Sequence, residues 1–305
     1  LTILGVVIGT ASIIVMVSIG IGQNRNLMAS IEQSGSLTAI QIYNYGGGGG
    51  RVVFSDSSSS SSEDTLQLND TMLESFLYIP HVTSVSPTLQ FNVVMKQGAY
   101  INEYLTFYGV SRAELERIPL GEGRLPDPNT DTLEFVVGNN VITNFYNEKT
   151  QKYYWDTGEL PEVDFMNTPL FTIYDQQAYW EAQYNGGEPP KKYLLQASGM
   201  VEGTVDDWNQ YSYGVYCDID TLKANLKTIF RNKAIPGQPS KSNGEPYAEF
   251  VYEQAVVNVD KMDNVMDVLN TIKDMGFQAY SNAEYMEEMQ RQSKTTQAVL
   301  GGIGG

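Results

Sequence analysis

Hydrophobic and polar positions change rhythm along this chain, and each rhythm predicts a different element. Leu1 to Gly22 (LTILGVVIGTASIIVMVSIGIG) carries no charge; the first charged residue is Arg25. As a helix rising ~1.5 Å per residue this run reaches roughly 33 Å, enough to cross the ~30 Å hydrocarbon core of a bilayer. Its hydroxyls, on Thr2, Thr10, Ser12 and Ser18, can bond back to a helix backbone. Gly5 and Gly9 form G-x-x-x-G, and Ser18 and Gly22 repeat the small-xxx-small spacing, so these four residues are expected to pack the membrane helix against a neighbour. A core helix would be shorter and carry a polar face. A signal peptide would show a basic start and an A-x-A cleavage site, and neither is present.

The rhythm then becomes amphipathic. Gln23 to Ser34 has good helix formers with Leu27 and Ile31 one turn apart, which predicts a stalk helix ended by Gly35. Ile40 and Ile42 alternate with polar neighbours, a half-buried strand within Leu37–Tyr45. The Gly46–Gly50 and Ser57–Ser62 runs read as a loop. Asn69 or Asp70 caps a helix holding Met72, Leu73, Phe76 and Leu77, closed by Pro80. Val82–Ser86, Gln90–Met95 and Tyr100–Tyr108 read as strands.

From Val110 prolines and turn pairs become frequent. Strands are expected at Glu134–Val137, Leu170–Tyr174 and Leu194–Glu202, with a short helix at Asn139–Asn147. The first texture returns with a strand at Ala255–Val259. A helix capped by Asp260 comes next, with Val265, Leu269, Ile272 and Met275 on one face, then Gly276 and a strand at Phe277–Tyr280. In the last segment Tyr285, Met289, Gln292, Thr296 and Val299 fall at alternating four- and three-residue steps, the spacing of a coiled-coil seam. VLGGIGG reads as the opening of a second membrane helix. With its Leu start, that ending makes the sequence read as a fragment, and an apolar run of roughly 20 residues is expected from about Val299 onward.

The expected fold is α+β: a ferredoxin-like split βαβ layer with an inserted, mainly-β subdomain, on two helical stalks. The expected divisions are a transmembrane helix at 1–22, a stalk at 23–35, the layer at 36–109 and 247–282, the insertion at 110–246, and a second stalk at 283–305.

Composition narrows function. The 305 residues hold 19 Lys and Arg against 36 Asp and Glu, a net charge of −17. Such a chain repels nucleic acid and anionic head groups. Acidity on this scale fits a cationic ligand or, more simply, solubility. One cysteine, Cys217, allows no internal disulfide. It precedes Asp218 and Asp220, which oppose a thiolate. The single histidine, His81, comes after Pro80 at an expected turn and has no identifiable partner for catalysis. Asp127, Asn129 and Asp131 match three positions of a calcium loop, but Thr132 stands where Gly is needed and Gly138 where a bidentate Glu is needed. The glycine run lacks the G-K-[ST] of a phosphate loop, and one His with one Cys does not make a zinc site. No enzyme, cofactor or metal is implied.

Several motifs, in order, resemble MacB-type (FtsX-like) permeases of ABC transporters. L-T-I-L-G-V-V-I-G-T-A with G-I-G at Gly20–Gly22 resembles their first transmembrane helix. E-G-R-L-P at Glu122–Pro126 resembles their E-G-R turn, and F-V-V-G-N-N-V at Phe135–Val141 their V-x-G-x-x-V element. Leu194–Glu202 and Gly276–Lys294 resemble the later strand and the lead into the second membrane helix. The resemblance implies a four-helix permease in the bacterial cell membrane, with a large extracytoplasmic domain between helices one and two. That domain has a porter-like subdomain carrying a mainly-β insertion. The implied partners are an ABC ATPase subunit or domain, a second permease protomer, and an extracytoplasmic adaptor or hydrolase. Mechanotransmission through the stalks would couple ATP hydrolysis to export or extraction of a peptide, lipid-like or drug-like substrate. Leu27, Ile31, Tyr285, Met289, Gln292, Thr296 and Val299 would be the coupling residues. One rival is an FtsX-like regulatory module that switches a cell-wall hydrolase; another is a membrane-anchored binding protein without an ATPase. The Gly and Ser tracts and 20 tyrosines depart from the family pattern.

Overall fold

The structure is a computed structural model. It describes residues 18, 22, 37–44, 67–130, 132–240, 245–246, 248–284, 286 and 291. Strand β1 (Ala39–Tyr43) is followed by helix α1 (Asp70–Leu77), then the long hairpin of β2 (Val82–Gln97) and β3 (Tyr100–Val110). Next come α2 (Arg112–Leu115), β4 (Leu120–Gly123), β5 (Phe135–Val137), a 3-10 turn (Val141–Asn144), β6 (Tyr146–Asn147), β7 (Lys152–Tyr153) and α3 (Tyr154–Thr157). Strand β8 (Leu170–Ile173) leads to α4 (Gln176–Asn185), β9 (Tyr193–Leu195), β10 (Ala197–Val201), β11 (Val215–Asp218) and α5 (Ile219–Phe230). The chain closes with β12 (Gln254–Val259), a second 3-10 turn (Met262–Asn264), α6 (Val265–Asp274) and β13 (Gln278–Ser281).

The described residues fall into two compact units. One takes those within Leu1–Tyr43, Glu74–Val85 and Val256–Gly305; the other takes those within Asn44–Leu73 and Ser86–Ala255.

The first unit is a sheet in the order β13-β1-β12-β2, with β1 and β13 antiparallel from Ile40↔Ser281 to Tyr43↔Gln278. Val259 N donates to Thr38 O (2.8 Å) and Asp260 N to His81 O (3.0 Å), so the end of β12 meets the starts of both β1 and β2. Each helix therefore joins two strands with one strand between them, which is the split βαβ arrangement. The sequence dictates this layer directly. Ile40, Ile42, Val257 and Ala279 are buried on one face of the sheet strands. Helix α6 buries Val265, Val268, Leu269 and Ile272, an i, i+3, i+4, i+7 stripe. Phe76 and Phe277 meet edge to face at 5.3 Å. Gly276, with φ +95°, ends the helix as expected.

The cap expected from Asp260 is not there. Lys261 is extended, the chain takes the 3-10 turn, and α6 begins after Asn264, which makes no side-chain cap bond. The Asp260 carboxylate instead accepts from Asn264 Nδ2 (2.8 Å).

The second unit is a mixed sheet in the order β2-β3-β11-β5-β10-β4, with β6 also on β3 and β8 on β2. Strand β11 is parallel to β3 and antiparallel to β5. From Ser86 onward the β2–β3 hairpin pairs with β6, β8 and β11, so it groups with the proline-rich middle. The compact division thus falls elsewhere than the change of texture at Val110. The helix expected at Asn139–Asn147 is also replaced. Gly138 N and Asn140 N donate to Gly214 O and Ser212 O (both 2.9 Å), one 3-10 turn comes next, and Phe145 is already extended. Tyr146 then pairs with Ile101 in β3; strand pairing overrides the local helix preference. The E-G-R turn has a clear physical role: Arg124 grips Glu134 with both terminal nitrogens (2.7 and 2.6 Å) just ahead of β5. The Asp127 side chain folds onto Asn129 N (2.9 Å) as a turn.

Two positions in this unit make its packing and its charge testable. A Cβ on Gly138 would stand 2.2 Å from the backbone oxygen of Ser212. Backbone cannot step aside as a side chain can, so Gly138→Ala should cost on the order of 3 kcal/mol, read as a lower denaturant midpoint. Burial raises the Glu253 carboxyl from 4.5 to about 7, opposed by the bond it accepts from Gln90 N. The folded chain then holds a proton that the unfolded chain has released. Stability should be greatest below the unfolded value and fall as pH rises through about 7. Glu253→Gln keeps an acceptor for Gln90; in melts at about pH 5 and about pH 8 it should flatten the dependence and add of order 2 kcal/mol at the higher pH.

Candidate functional site

The site lies at the rim of the first unit where β1 begins and β13 ends. Antiparallel pairing sets the start of β1 beside the end of β13, with Ile40 opposite Ser281. The segments leading to the two expected stalks therefore leave the sheet side by side, on neighbouring strands. Ser281 joins them. Its hydroxyl donates to Ala39 O (3.2 Å) and accepts from Ala283 N (3.2 Å). Residues 282–284 are already helical, and Ala283 and Met286 are buried. Lys273 on α6 reaches Glu284 at 2.8 Å, but both side chains are more than a third exposed, so this pair contributes no more than ~1 kcal/mol. Ser281-Asn282-Ala283-Glu284 has the S-x-x-E form of a helix N-terminus. That signal is present in the sequence, although the coiled-coil spacing just beyond it is the more conspicuous pattern.

Along the same rim His81 sits in the left-handed region, φ +74°, between α1 and β2. Its Nδ1 lies 3.1 Å from Asp260 Oδ2 and 2.9 Å from Asn264 Nδ2. One proton on Nδ1 decides which of the two it serves: protonated, it donates to Asp260; bare, it accepts from Asn264. The Asn264 amide, and then His81, hold the Asp260 carboxyl below the usual carboxylate range. Thr83 Oγ1 to Asn258 O (3.0 Å) and Asn258 Nδ2 to Ser84 Oγ (3.0 Å) carry the stitching on between β2 and β12. His81 is thus a rim tie. Cys217 is buried in β11, and desolvation pushes its thiol well above the ordinary range, as a strand residue of the core.

Of the residues expected to pack the membrane helix, Ser18 and Gly22 are helical and exposed; Gly5 and Gly9 lie outside the described residues. Leu27, Ile31, Tyr285, Met289, Gln292, Thr296 and Val299 also lie outside them. Among the described residues no helix is long and apolar enough to cross a membrane.

A family model for the MacB-like periplasmic core domain matches residues 1–158, just over half of the chain. Among solved structures, the periplasmic region of MacB from Actinobacillus actinomycetemcomitans is similar at 12% identity and a TM-score of 0.44, over 83% of this chain and 92% of that one. The extracellular domain of the noncanonic ABC-type transporter YknZ from Gram-positive bacteria is similar at 10% identity and a TM-score of 0.39, over 70% and 90%. No curated protein matches. Family membership rests on the match over residues 1–158 and not on these distant likenesses.

Ser281→Ala tests the root. Losing the hydroxyl leaves Ala283 N without its cap, at a cost of about 1 kcal/mol. Hydrogen exchange should speed up at the amides from Gln278 to Met286 and stay unchanged in β3 and β11. Equal protection at Ala283 in the variant would show that the hydroxyl does not hold the helix start.

Proposed function

This chain belongs to the MacB-like periplasmic core domain family, and from that premise we propose that it is the extracytoplasmic domain of an ABC transporter permease working by mechanotransmission. One observation supports the reading: β1 and β13, next to the two expected stalks, are paired strands of one sheet. A displacement of either stalk is then delivered to both strands and to the layer behind them. Within this reading, 1–22 spans the membrane, 23–35 and 283–305 are the stalks, and Gly5, Gly9, Ser18 and Gly22 pack the membrane helix. The domain itself is non-catalytic. ATP is hydrolysed by a partner subunit or domain on the cytoplasmic side, and a second permease protomer completes the dimer. The chain sits in the bacterial cell membrane with its large domain outside. Its work is export or extraction of a peptide, lipid-like or drug-like molecule.

The stalk seam of Tyr285, Met289, Gln292, Thr296 and Val299 faces Leu27, Ile31 or the partner protomer in this account. Proline at Thr296 removes a helix hydrogen bond and clashes with the preceding turn, costing about 3 kcal/mol in a helix interior. Thr296→Pro should leave the outer domain folded and ATP hydrolysis running while export stops. Hydrolysis and export measured side by side in reconstituted membranes test this. Full export by a correctly inserted Thr296→Pro permease would remove the stalk as the coupling element.

A further inference from the structure

The second unit carries an aromatic surface that mechanotransmission does not use. Tyr104 on β3 and Tyr184 on α4 are 71% and 77% exposed, which is unusual for large rings on regular elements. Trp180 lies between them. Its ring is 5.7 Å from Tyr104, tilted by 31°, and 5.7 Å from Tyr184, stacked at 15°, so Trp180 links the two exposed tyrosines into one aromatic surface. The surface is firmly seated. Tyr179, next to Trp180, is buried among Val94, Ile101, Tyr146 and Ile173, with Trp180 packed on that cluster. Tyr179 OH donates to Glu103 Oε1 (3.0 Å), and burial, with Glu103 nearby, raises the Tyr146 phenol well above its ordinary range. Gln176 Nε2 on α4 donates to the Glu103 backbone oxygen on β3. The platform is therefore preorganised by its own scaffold.

Its charge is acidic up to Pro190, after which Lys191 and Lys192 follow, with Lys191 Nζ 4.9 Å from the Tyr193 ring. β3 has one charged residue, Glu103. From Asp175 to Pro190 there are three carboxylates, Asp175, Glu181 and Glu188, and no Lys, Arg or His. Of the nearby charges, Lys96 and Glu148 already bind each other. Ring faces carry negative quadrupole charge, and carboxylates beside them add to it, so the surface complements an organic cation. The rings form a strip rather than a cage. Their 5.7 Å steps approach the ~6.6 Å repeat of side chains on one face of an extended peptide.

We propose that Tyr104, Trp180 and Tyr184, with Glu103 beside them, are a docking strip for an extended peptide segment that presents arginine or lysine at alternate positions. The cationic side chains lie against the exposed ring surfaces of Tyr104 and Tyr184, which Trp180 holds in place, and Glu103 and Glu181 draw them in. The strip is a property of the folded domain and does not depend on the transport reading. Binding is accordingly measured without ATPase or membrane flux.

The test is calorimetric titration of the full chain, in detergent, with a pentapeptide alternating arginine and glycine. Its citrulline analogue and chitotetraose are the comparison probes. The arginine peptide should bind, at least tenfold tighter than the citrulline peptide, with affinity falling as salt rises. Trp180→Ala should weaken it at least fivefold, Tyr104→Ala and Tyr184→Ala severalfold each, and Trp180→Phe much less. Glu103→Gln, which keeps an acceptor for Tyr179, should weaken it about threefold. Thermal melts accompany each variant. If Trp180→Ala unfolds the protein, the two exposed tyrosines still carry the test. Absence of binding by the arginine peptide would overturn the proposal. So would equal binding of the citrulline peptide, binding of the oligosaccharide in its place, or affinity unchanged in Tyr104→Ala and Tyr184→Ala.

Discussion

The antiparallel pairing of β1 with β13 is the constraint on which the first unit depends. It sets Ile40 opposite Ser281, brings residues 37–38 and 282–284 to one rim, and leaves β12 between β1 and β2. The register cannot slip by one residue, because that would turn Ile40 and Ile42, both fully buried, out to solvent. Two segments more than two hundred residues apart in sequence are thus locked side by side by alternation within five residues of β1.

Magnitudes show what holds this root. The Ser281 cap is worth about 1 kcal/mol and the exposed Lys273–Glu284 pair less. Ile40, Ile42, Val257, Phe76, Leu269 and Ile272 are each at or near zero exposure, and burial of such a side chain contributes about 1.5–3 kcal/mol. The apolar layer therefore supplies the rigidity, and the polar ties along the rim select the geometry of the exits. A rigid root is what mechanotransmission needs, since a soft one would absorb a stalk movement.

Legibility of the fold tracks the range of the interactions. Local periodicity is enough for β1, for the apolar stripe of α6 and for its stop at Gly276. It fails at Asn139–Asn147, where bonds to Ser212 and Gly214, distant in sequence, draw the segment toward β3. It fails again at Asp260, whose carboxylate has a better use in the tie to Asn264 and His81 than in a cap. The change of texture at Val110 marks composition, whereas the compact division tracks strand pairing in β2 and β3. At the root, S-x-x-E at Ser281 is readable in principle. The aromatic strip is not: tyrosine content signals a departure from the family pattern, but only the fold brings Tyr104 against Trp180 across 76 positions.

The central claim is that stalk movement reaches the outer domain through this root. The most direct measurement is the distance between spin labels on the two copies of an assembled permease, each carrying Tyr280→Cys on β13, with and without ATP. Tyr280 is exposed, whereas Cys217 is buried and stays unlabelled. The account predicts a nucleotide-dependent change in the label distance that disappears in Thr296→Pro. A distance insensitive to nucleotide, or a change that survives Thr296→Pro, would contradict it.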